Sequence, residues 1–196
     1  MAKRILDILA ALTGLVILAP IFIVIGILIK LDSPGPVLFK GERIGQYGKK
    51  FYIFKFRSMI PDAPKLGAAI TSQDDPRITR VGRFLRRTKL DELPSLVNVL
   101  KGEMSLVGPR PESPSWVERY TSQQQAVLTI KPGITGLAQI KYRNEEGLLN
   151  TANIETEYPR IMNDKLSMDL RYLENHSLSI DVHILLETAV ALFRRS

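Results

Sequence analysis

The apolar run from Ile5 to Leu31 constrains this chain more than any other feature, because Asp7 and Lys30 are its only charged residues. An apolar run longer than about 18 residues predicts a membrane segment. This run is too long for the apolar region of a cleavable signal peptide, and no small-residue cleavage site follows it. The sequence therefore predicts a membrane anchor over residues 1–32 and one further domain over residues 33–196.

Pro20, which follows Ala19 near the middle of the run, predicts a break in the helix. A proline in a helix interior removes a backbone donor and clashes with the preceding turn, at a cost of about 3 kcal/mol. Each half would be roughly 18 Å long, against a hydrocarbon core of about 30 Å. Lysine and arginine flank both ends of the run, and they prefer the cytoplasmic side. A re-entrant helix–break–helix keeps both flanks on that side, but a kinked spanning helix is also compatible with these residues.

The chain of 196 residues has a formal charge of +7, and this excess of positive charge indicates an anionic partner. Nucleic acid, a phosphorylated substrate and anionic lipid all meet that description. A hydrophobic content of 45% excludes a disordered chain. The lack of cysteine excludes disulfides, iron–sulfur clusters and cysteine zinc sites. His176 and His183 have no partner at metal-ligand spacing and are interpreted as structural.

The patterns after the anchor predict a mainly helical α+β fold, in which a small α/β domain carries amphipathic surface helices. Two strands, Val37–Lys40 and Phe51–Arg57, flank a glycine-rich stretch. That stretch favours a hairpin loop, because the spacing of a phosphate loop is absent. The predicted helices lie within Arg77–Thr88, over Leu93–Lys101, and over Ile180–Arg194 with Ser179 as its cap.

The predicted helix within Arg77–Thr88 has apolar residues on one side and arginines on the other. Such a face is most often solvated, but arginines also bind the phosphates of lipid head groups or substrates. The arginines are not interleaved with aromatic residues, and the sequence has no recognisable nucleic-acid reader motif. Nucleic acid is therefore not the expected partner.

The acidic pair Asp91–Glu92 stands just before the predicted helix Leu93–Lys101. Carboxylates at this place commonly cap free amides and oppose the helix dipole. A carboxylate held near a helix N-terminus and several arginines also stays ionised, and an ionised aspartate can act as a nucleophile or a metal ligand. The residues alone leave both interpretations open.

Two glycine–proline segments predict stiff loops. In the first, Gly108 and two flanking prolines constrain Arg110, which suits a guanidinium that must meet a phosphate at fixed geometry. The second segment, Lys131–Ile140, is followed closely by Arg143.

Several blocks of this sequence, in their order, resemble the bacterial sugar transferase family, the small monotopic phosphoglycosyl transferases. The resemblance extends from about Lys3 to the last predicted helix. Several blocks together are far more specific than any one of them. The blocks are Lys55–Met59, Arg86–Leu96, Asn98–Gly102, Ser105–Glu112 and Lys131–Leu137.

The resemblance implies transfer of a sugar 1-phosphate from a nucleotide diphosphate sugar, usually a UDP-sugar, to polyprenyl phosphate such as undecaprenyl phosphate, with release of UMP. It implies that Asp91 forms a covalent phosphosugar intermediate and that Glu92 helps to hold magnesium (Mg2+). The other residues carried over are phosphate- or substrate-binding cations and one carboxylate of the supporting network: Arg86, Arg110, Arg143, Lys55, Arg57 and Asp169.

The resemblance also implies a re-entrant anchor at the cytoplasmic face of the bacterial inner membrane, in contact with anionic lipids. In the family the helix often breaks at Ser-Pro, whereas this chain has Ala19–Pro20. A non-catalytic membrane adaptor that uses the basic face on lipid is the alternative function. The sequence does not define the sugar, the glycan pathway or the oligomeric state.

Overall fold

The computed structural model describes residues 1–66, 71, 75–149 and 154–193. These residues form a mainly helical α+β fold with two small sheets, as predicted. The helices are α1 (Ala2–Asp32), α2 (Ala63–Leu66), α3 (Arg80–Thr88), α4 (Leu96–Lys101), α5 (Pro114–Val117), α6 (Leu137–Lys141), α7 (Glu145–Leu148), α8 (Ile154–Asn175) and α9 (Leu178–Phe193). Short 3₁₀ segments cover Gln46–Gly48, Leu90–Ser95 and Gln124–Thr129.

The two sheets each contain a pair of strands. Strands β1 (Leu38–Ile44) and β2 (Lys50–Phe56) form the predicted antiparallel hairpin, in which Gly41 pairs with Ile53. Strand β1 is longer than predicted, because the first half of the glycine-rich stretch continues it, and β2 is shifted by one residue from the predicted Phe51–Arg57. Strands β3 (Ser105–Val107) and β4 (Gly133–Thr135) pair in parallel, so the two predicted glycine–proline loops lie side by side.

Helix α1 continues through Ala19 and Pro20 without a helix end, so the predicted break is corrected here. Its buried residues are Asp7, Ala11 and, beyond the proline, Ile25 and Ile29. Their spacing places them on one face of the helix. Because this face packs against the rest of the protein on both sides of Pro20, tertiary contacts hold the two halves in one helix.

Both ends of α1 are bound to the same domain. Near its start, the Arg4 guanidinium donates hydrogen bonds to the carbonyls of Val99 at 2.6 Å and Leu100 at 2.9 Å, at the end of α4. At its other end, the Asp32 carboxylate accepts a hydrogen bond of 2.9 Å from the backbone N–H of Val81 in α3. The helix therefore runs along the domain instead of projecting away from it.

The faces of α1 that turn away from the domain are apolar and exposed, and Val16 and Ile17 are each 68% exposed. Within the part of the chain that the structure describes, α1 is the one helix long and apolar enough to cross a membrane. The predicted apolar helix is present, its exposed apolar faces fit membrane association, and the path that it takes through lipid remains a prediction.

The helix predicted over Ile180–Arg194 begins two residues earlier, as α9 (Leu178–Phe193). The hydroxyl of Ser177 accepts a hydrogen bond from the backbone N–H of Ile180 at 3.3 Å, so Ser177 takes the capping role predicted for Ser179. Residue Arg194 lies outside the described residues. Helix α9 packs against both β3 and β4, which brings the C-terminal part of the chain to the loop that carries Arg110.

Candidate active site

The acidic pair is positioned by a change of direction between α3 and α4. Helix α3 ends at Thr88, and Lys89 adopts a left-handed conformation with φ 59° and ψ 16°. Asp91 and Glu92 then occupy the first turn of the 3₁₀ segment Leu90–Ser95. The helix predicted from Leu93 is therefore 3₁₀ at its start and becomes α-helical only at Leu96.

Asp91 is a buried carboxylate with an unsatisfied oxygen. The residue is 7% exposed, and its Oδ1 atom has no hydrogen-bond partner. Burial and the neighbouring Glu92 charge raise the pKa of Asp91 to about 6, although the positive charges of Lys55, Arg86 and Lys89 oppose this shift. At neutral pH the side chain is largely ionised, and its anion is poorly stabilised by the protein.

Glu92 differs from its neighbour because it has two cationic partners. Its Oε1 atom accepts hydrogen bonds from Lys55 Nζ at 2.6 Å and from Arg110 Nη2 at 2.9 Å. Arg110 and Lys55 hold the pKa of Glu92 well below its usual value despite burial. The environment thus separates the pKa values of two adjacent carboxyl groups, as in active sites where such groups have different roles.

The β3–β4 pair fixes the loop that carries Arg110. The N–H of Gly108 donates to the Thr135 carbonyl at 3.0 Å, and the N–H of Gly133 donates to the Pro109 carbonyl at 2.8 Å. A Cβ atom at Gly133 would lie 2.1 Å from the Gly108 nitrogen, so the close approach of the two backbones requires glycine. Glu92 raises the pKa of Arg110, which keeps its guanidinium charged.

A cavity of about 220 Å³ is lined by Glu92 of the acidic pair, while Asp91 lies behind its wall and is not among the lining residues. One part of its wall is charged, and Glu92, Arg110 and Arg143 meet there as the sequence predicts. Lys89, Glu145 and Lys165 also line the cavity, and other parts of its wall are apolar.

Two other predicted cations have different surroundings. Arg86 approaches the Ser58 hydroxyl at 3.4 Å, and its positive charge lowers the pKa of Asp91. Arg57 is buried, and its guanidinium donates to the carbonyls of Pro34 at 2.6 Å and Ser33 at 2.7 Å. The structure therefore places Arg57 at the end of α1, where it fixes the turn after the anchor, and not beside the acidic pair.

Asp169 belongs to a second buried group of charges. It lies on α8 and lines a narrow cavity together with Arg110 and Glu112. Burial and the negative charge of Glu112 raise the pKa of Asp169 to about 7, while Lys165 opposes the shift. This position supports the predicted network around Arg110.

Sequence reasoning missed three charged members of this group: Glu112, Glu145 and Lys165. Lys165 Nζ donates to Glu145 Oε2 at 2.6 Å, and burial raises the pKa of Glu112. The sequence offered a reason to consider Glu112, because it directly follows the Pro-Arg-Pro segment that carries Arg110. The Lys165–Glu145 pair had no local signal, because only the packing of α8 brings the two residues together.

The acidic pair fits a magnesium ion of the kind that binds with its substrate. Among the described residues, no group of three or more His, Cys, Asp or Glu side chains could hold a metal ion. Magnesium is usually held by one or two carboxylates together with substrate phosphates. The unpartnered Oδ1 atom of Asp91 and the adjacent Glu92 carboxylate provide such a partial set of ligands.

A buried carboxylate with a raised pKa, cations around its neighbour and a helix with an apolar exterior are features expected of a membrane-associated enzyme that acts on phosphorylated substrates. The chain belongs to the bacterial sugar transferase family, whose family model, described as "Bacterial sugar transferase", matches residues 1–195.

Several curated proteins are similar to the chain over nearly its whole length. The exopolysaccharide production protein PSS of Rhizobium leguminosarum bv. phaseoli is 41% identical over 196 residues, which cover 96% of this chain and 94% of that protein. The UDP-glucose:undecaprenyl-phosphate glucose-1-phosphate transferase of Escherichia coli (strain K12) is 40% identical over 190 residues, covering 95% of this chain and 39% of that protein.

A third relative is the UDP-N-acetylgalactosamine-undecaprenyl-phosphate N-acetylgalactosaminephosphotransferase of Aeromonas hydrophila. It is 38% identical over 189 residues, which cover 95% of this chain and 42% of that protein. The chain thus spans less than half the length of the Escherichia and Aeromonas proteins.

Replacing Asp91 by asparagine is expected to stabilise the folded protein at about pH 8. A pKa raised from 3.8 to about 6 means that the folded state loses stability as the pH rises through this interval. The shift corresponds to at most about 3 kcal/mol at 1.36 kcal/mol per pH unit, and we expect Asp91→Asn to recover about 1–3 kcal/mol.

Denaturant unfolding in detergent measures this gain, which should disappear at about pH 4, where the native Asp91 is protonated. The control is Glu174→Gln, which also replaces a carboxylate by its amide at an exposed position and should change stability by less than about 0.5 kcal/mol. A loss of stability in Asp91→Asn at about pH 8 would contradict the electrostatic description of the site.

Proposed function

We propose that the protein transfers a sugar 1-phosphate from a UDP-sugar to undecaprenyl phosphate in two displacements on Asp91, and so begins the membrane stage of glycan assembly. The observation that carries this proposal is the buried Asp91 carboxylate, whose Oδ1 atom lacks a hydrogen-bond partner and whose neighbour Glu92 binds Lys55 and Arg110. The names of the Escherichia and Aeromonas relatives support the two substrate classes.

In the first displacement, an oxygen of Asp91 attacks the sugar-bearing phosphorus of the UDP-sugar. The new bond joins this oxygen to phosphorus, and the bond between phosphorus and the oxygen of UMP breaks, so that UMP leaves with the bonding electrons. Attack of an anion on a diphosphate must overcome repulsion between like charges. The fixed charges of Arg110, Arg143 and Lys89 along the cavity reduce that repulsion.

In the second displacement, a phosphate oxygen of undecaprenyl phosphate attacks the same phosphorus. The bond between Asp91 and phosphorus breaks, which regenerates the carboxylate and releases the polyprenyl-diphosphate sugar. Two displacements allow a water-soluble donor and a lipid acceptor to use one site in turn.

Asp91 and Glu92 would hold Mg2+ together with the donor phosphates, where the ion neutralises phosphate charge when it is bound. Glu92 is already ionised because Lys55 and Arg110 depress its pKa. In this arrangement Lys55 and Arg110 position Glu92, and Asp91 keeps an oxygen that no hydrogen bond occupies.

The contacts of α1 support an anchor with both ends at the cytoplasmic face of the inner membrane, which is the re-entrant path without the predicted break at Pro20. The helix has 31 residues and a length of about 46 Å at 1.5 Å per residue. Arg4 and Asp32, near its two ends, bind the same domain, so a spanning path would have to break one set of contacts. Exposed apolar faces along α1 would enter the same leaflet that presents the phosphate of the lipid acceptor.

The reaction is tested with purified protein, undecaprenyl phosphate and a panel of UDP-sugars. We expect UMP release with at least one sugar, and a loss of at least about 10³-fold in Asp91→Asn, as for removal of other nucleophiles. Asp62→Asn, the same substitution at an exposed position, should retain normal turnover.

A labelled UDP-sugar added without lipid should also label wild-type protein and not Asp91→Asn, and undecaprenyl phosphate should remove the label. Release of UDP would indicate transfer of the sugar without its phosphate. Normal turnover in Asp91→Asn would favour a site elsewhere, and no turnover with any donor would favour the adaptor function.

The pH profile should follow the ionisation of Asp91. Because the pKa of Asp91 is about 6 and only its anion attacks, kcat/KM for the UDP-sugar should fall about tenfold per pH unit below about pH 6. Asp169, with a pKa of about 7, titrates in a neighbouring range. The control is therefore Asp169→Asn, in which the acid limb should stay in place. If the acid limb disappears in Asp169→Asn, the group that titrates is Asp169 and not Asp91, and the prediction is contradicted.

The re-entrant path is tested by thiol labelling, since the native chain has no cysteine. Ala2→Cys reports the side of the N-terminus, and Tyr47→Cys, at a position 71% exposed in the domain, is the matched control. An impermeant maleimide should label neither variant in intact cells and both in permeabilised cells. Labelling of Ala2→Cys alone in intact cells would show a spanning helix.

A further inference from the structure

Apolar side chains line the cavity together with its charged residues. These apolar residues come from five different elements. They are Leu93 from the 3₁₀ segment Leu90–Ser95, Leu96 from α4, Ile134 from β4, Ile140 from α6, and Ala191 from α9. A cavity with a charged part and an apolar part matches a ligand that has both characters.

The apolar wall lies between two elements whose outer surfaces are also apolar. Leu96 packs against α1, where a Cβ atom at Gly14 would come within 3.3 Å of the Leu96 side chain. On the other side is α9, where Leu178, Val182, Leu186 and Val190 are exposed at intervals of four residues. These positions share one face of the helix.

Two polar side chains beside these apolar residues are satisfied inside the protein. The hydroxyls of Thr135 and Thr188 are hydrogen-bonded to each other at 2.7 Å, and the Thr188 hydroxyl also donates to the Ile184 carbonyl at 2.7 Å. Gln139 also lines the cavity, and its buried Oε1 atom has no hydrogen-bond partner. Buried polar groups that already have partners require nothing of a ligand, so the wall at Thr135 and Thr188 is suited to a hydrocarbon segment, whereas Gln139 can still accept a hydrogen bond.

We propose that the apolar part of the cavity binds the isoprene units nearest to the phosphate of the lipid acceptor, and that Ala191 limits the space for them. The inference rests on the function proposed above. The acceptor would place its phosphate toward Arg110 and Arg143 and its first isoprene units against Leu93, Ile140 and Ala191, all of which line the same cavity. The rest of the chain would leave toward the apolar surfaces of α1 and α9.

The size of the cavity agrees with partial binding. Its volume of about 220 Å³ is below the roughly 300–1,000 Å³ of pockets that enclose a whole small ligand. A long polyprenyl chain cannot be enclosed in this space. The protein would therefore bind only the isoprene units nearest to the phosphate, and the bilayer would solvate the rest of the polyprenyl chain.

The test is Ala191→Phe, which adds bulk to the apolar wall, with Ala189→Phe as the matched control on an exposed position of the same helix. We expect the KM for undecaprenyl phosphate to rise about tenfold in Ala191→Phe, in the range found when the fit of a hydrophobic pocket is altered. The KM for the UDP-sugar should stay within twofold of the wild-type value, and Ala189→Phe should leave both constants unchanged.

Ala191→Leu, a smaller addition, keeps the test valid if the phenylalanine variant does not fold, and it should raise the acceptor KM in the same direction. A selective rise in the KM for the UDP-sugar would place the donor against Ala191. Unchanged KM values would show that neither substrate contacts this part of the cavity wall. Either result overturns this inference. The proposed function still stands in that case if the wild-type protein turns over. Absence of wild-type turnover with every donor would instead reject both.

Discussion

The ion pairs that join Glu92 to Lys55 and Arg110 are the constraint on which the site depends. They bring together β2, the 3₁₀ segment and the β3–β4 loop, which are far apart in sequence. Burying these charges is costly unless each has a partner with good geometry. Glu92 forms ion pairs with both cations, whereas the Oδ1 atom of the adjacent Asp91 has no hydrogen-bond partner. The same cations thus stabilise one carboxylate and leave its neighbour reactive, because their strongest contacts are already made.

Strand β3 connects helix α1 with the loop that carries Arg110. The Asp7 carboxylate accepts hydrogen bonds from the Leu106 N–H at 2.9 Å and the Ser105 hydroxyl at 3.1 Å, and Lys3 donates to the Val107 carbonyl at 3.0 Å. Strand β3 then continues directly through Gly108 to Arg110. The position of α1 is therefore coupled over a few residues to the Arg110 guanidinium that lines the cavity.

Local patterns predicted the parts of the fold that local physics determines. The hairpin, the amphipathic α3 and the helix end at Gly102 follow from alternation, helical spacing and the left-handed glycine with φ 81°. The acidic pair and Arg110 were recognised through their motifs. Non-local packing determined what the sequence did not reveal: Arg57 is used at the end of α1, and Lys165 of α8 pairs with Glu145. The helix also continues through Pro20, because contacts on both sides outweigh the local cost of proline.

Asp7 is a charged residue in the apolar run whose presence is explained by the packing of α1. A carboxylate within a lipid-facing helix costs about 2.5–3.5 kcal/mol, so its presence in an apolar run is difficult to explain for a helix surrounded by lipid. In the structure Asp7 is 2% exposed and faces strand β3, where it has two donors. The charge is therefore compatible with a helix that packs along its own domain and exposes only its other faces to lipid. The same contacts require that the start of the anchor stays at the domain, which is the geometry that a lipid acceptor entering beside α1 needs.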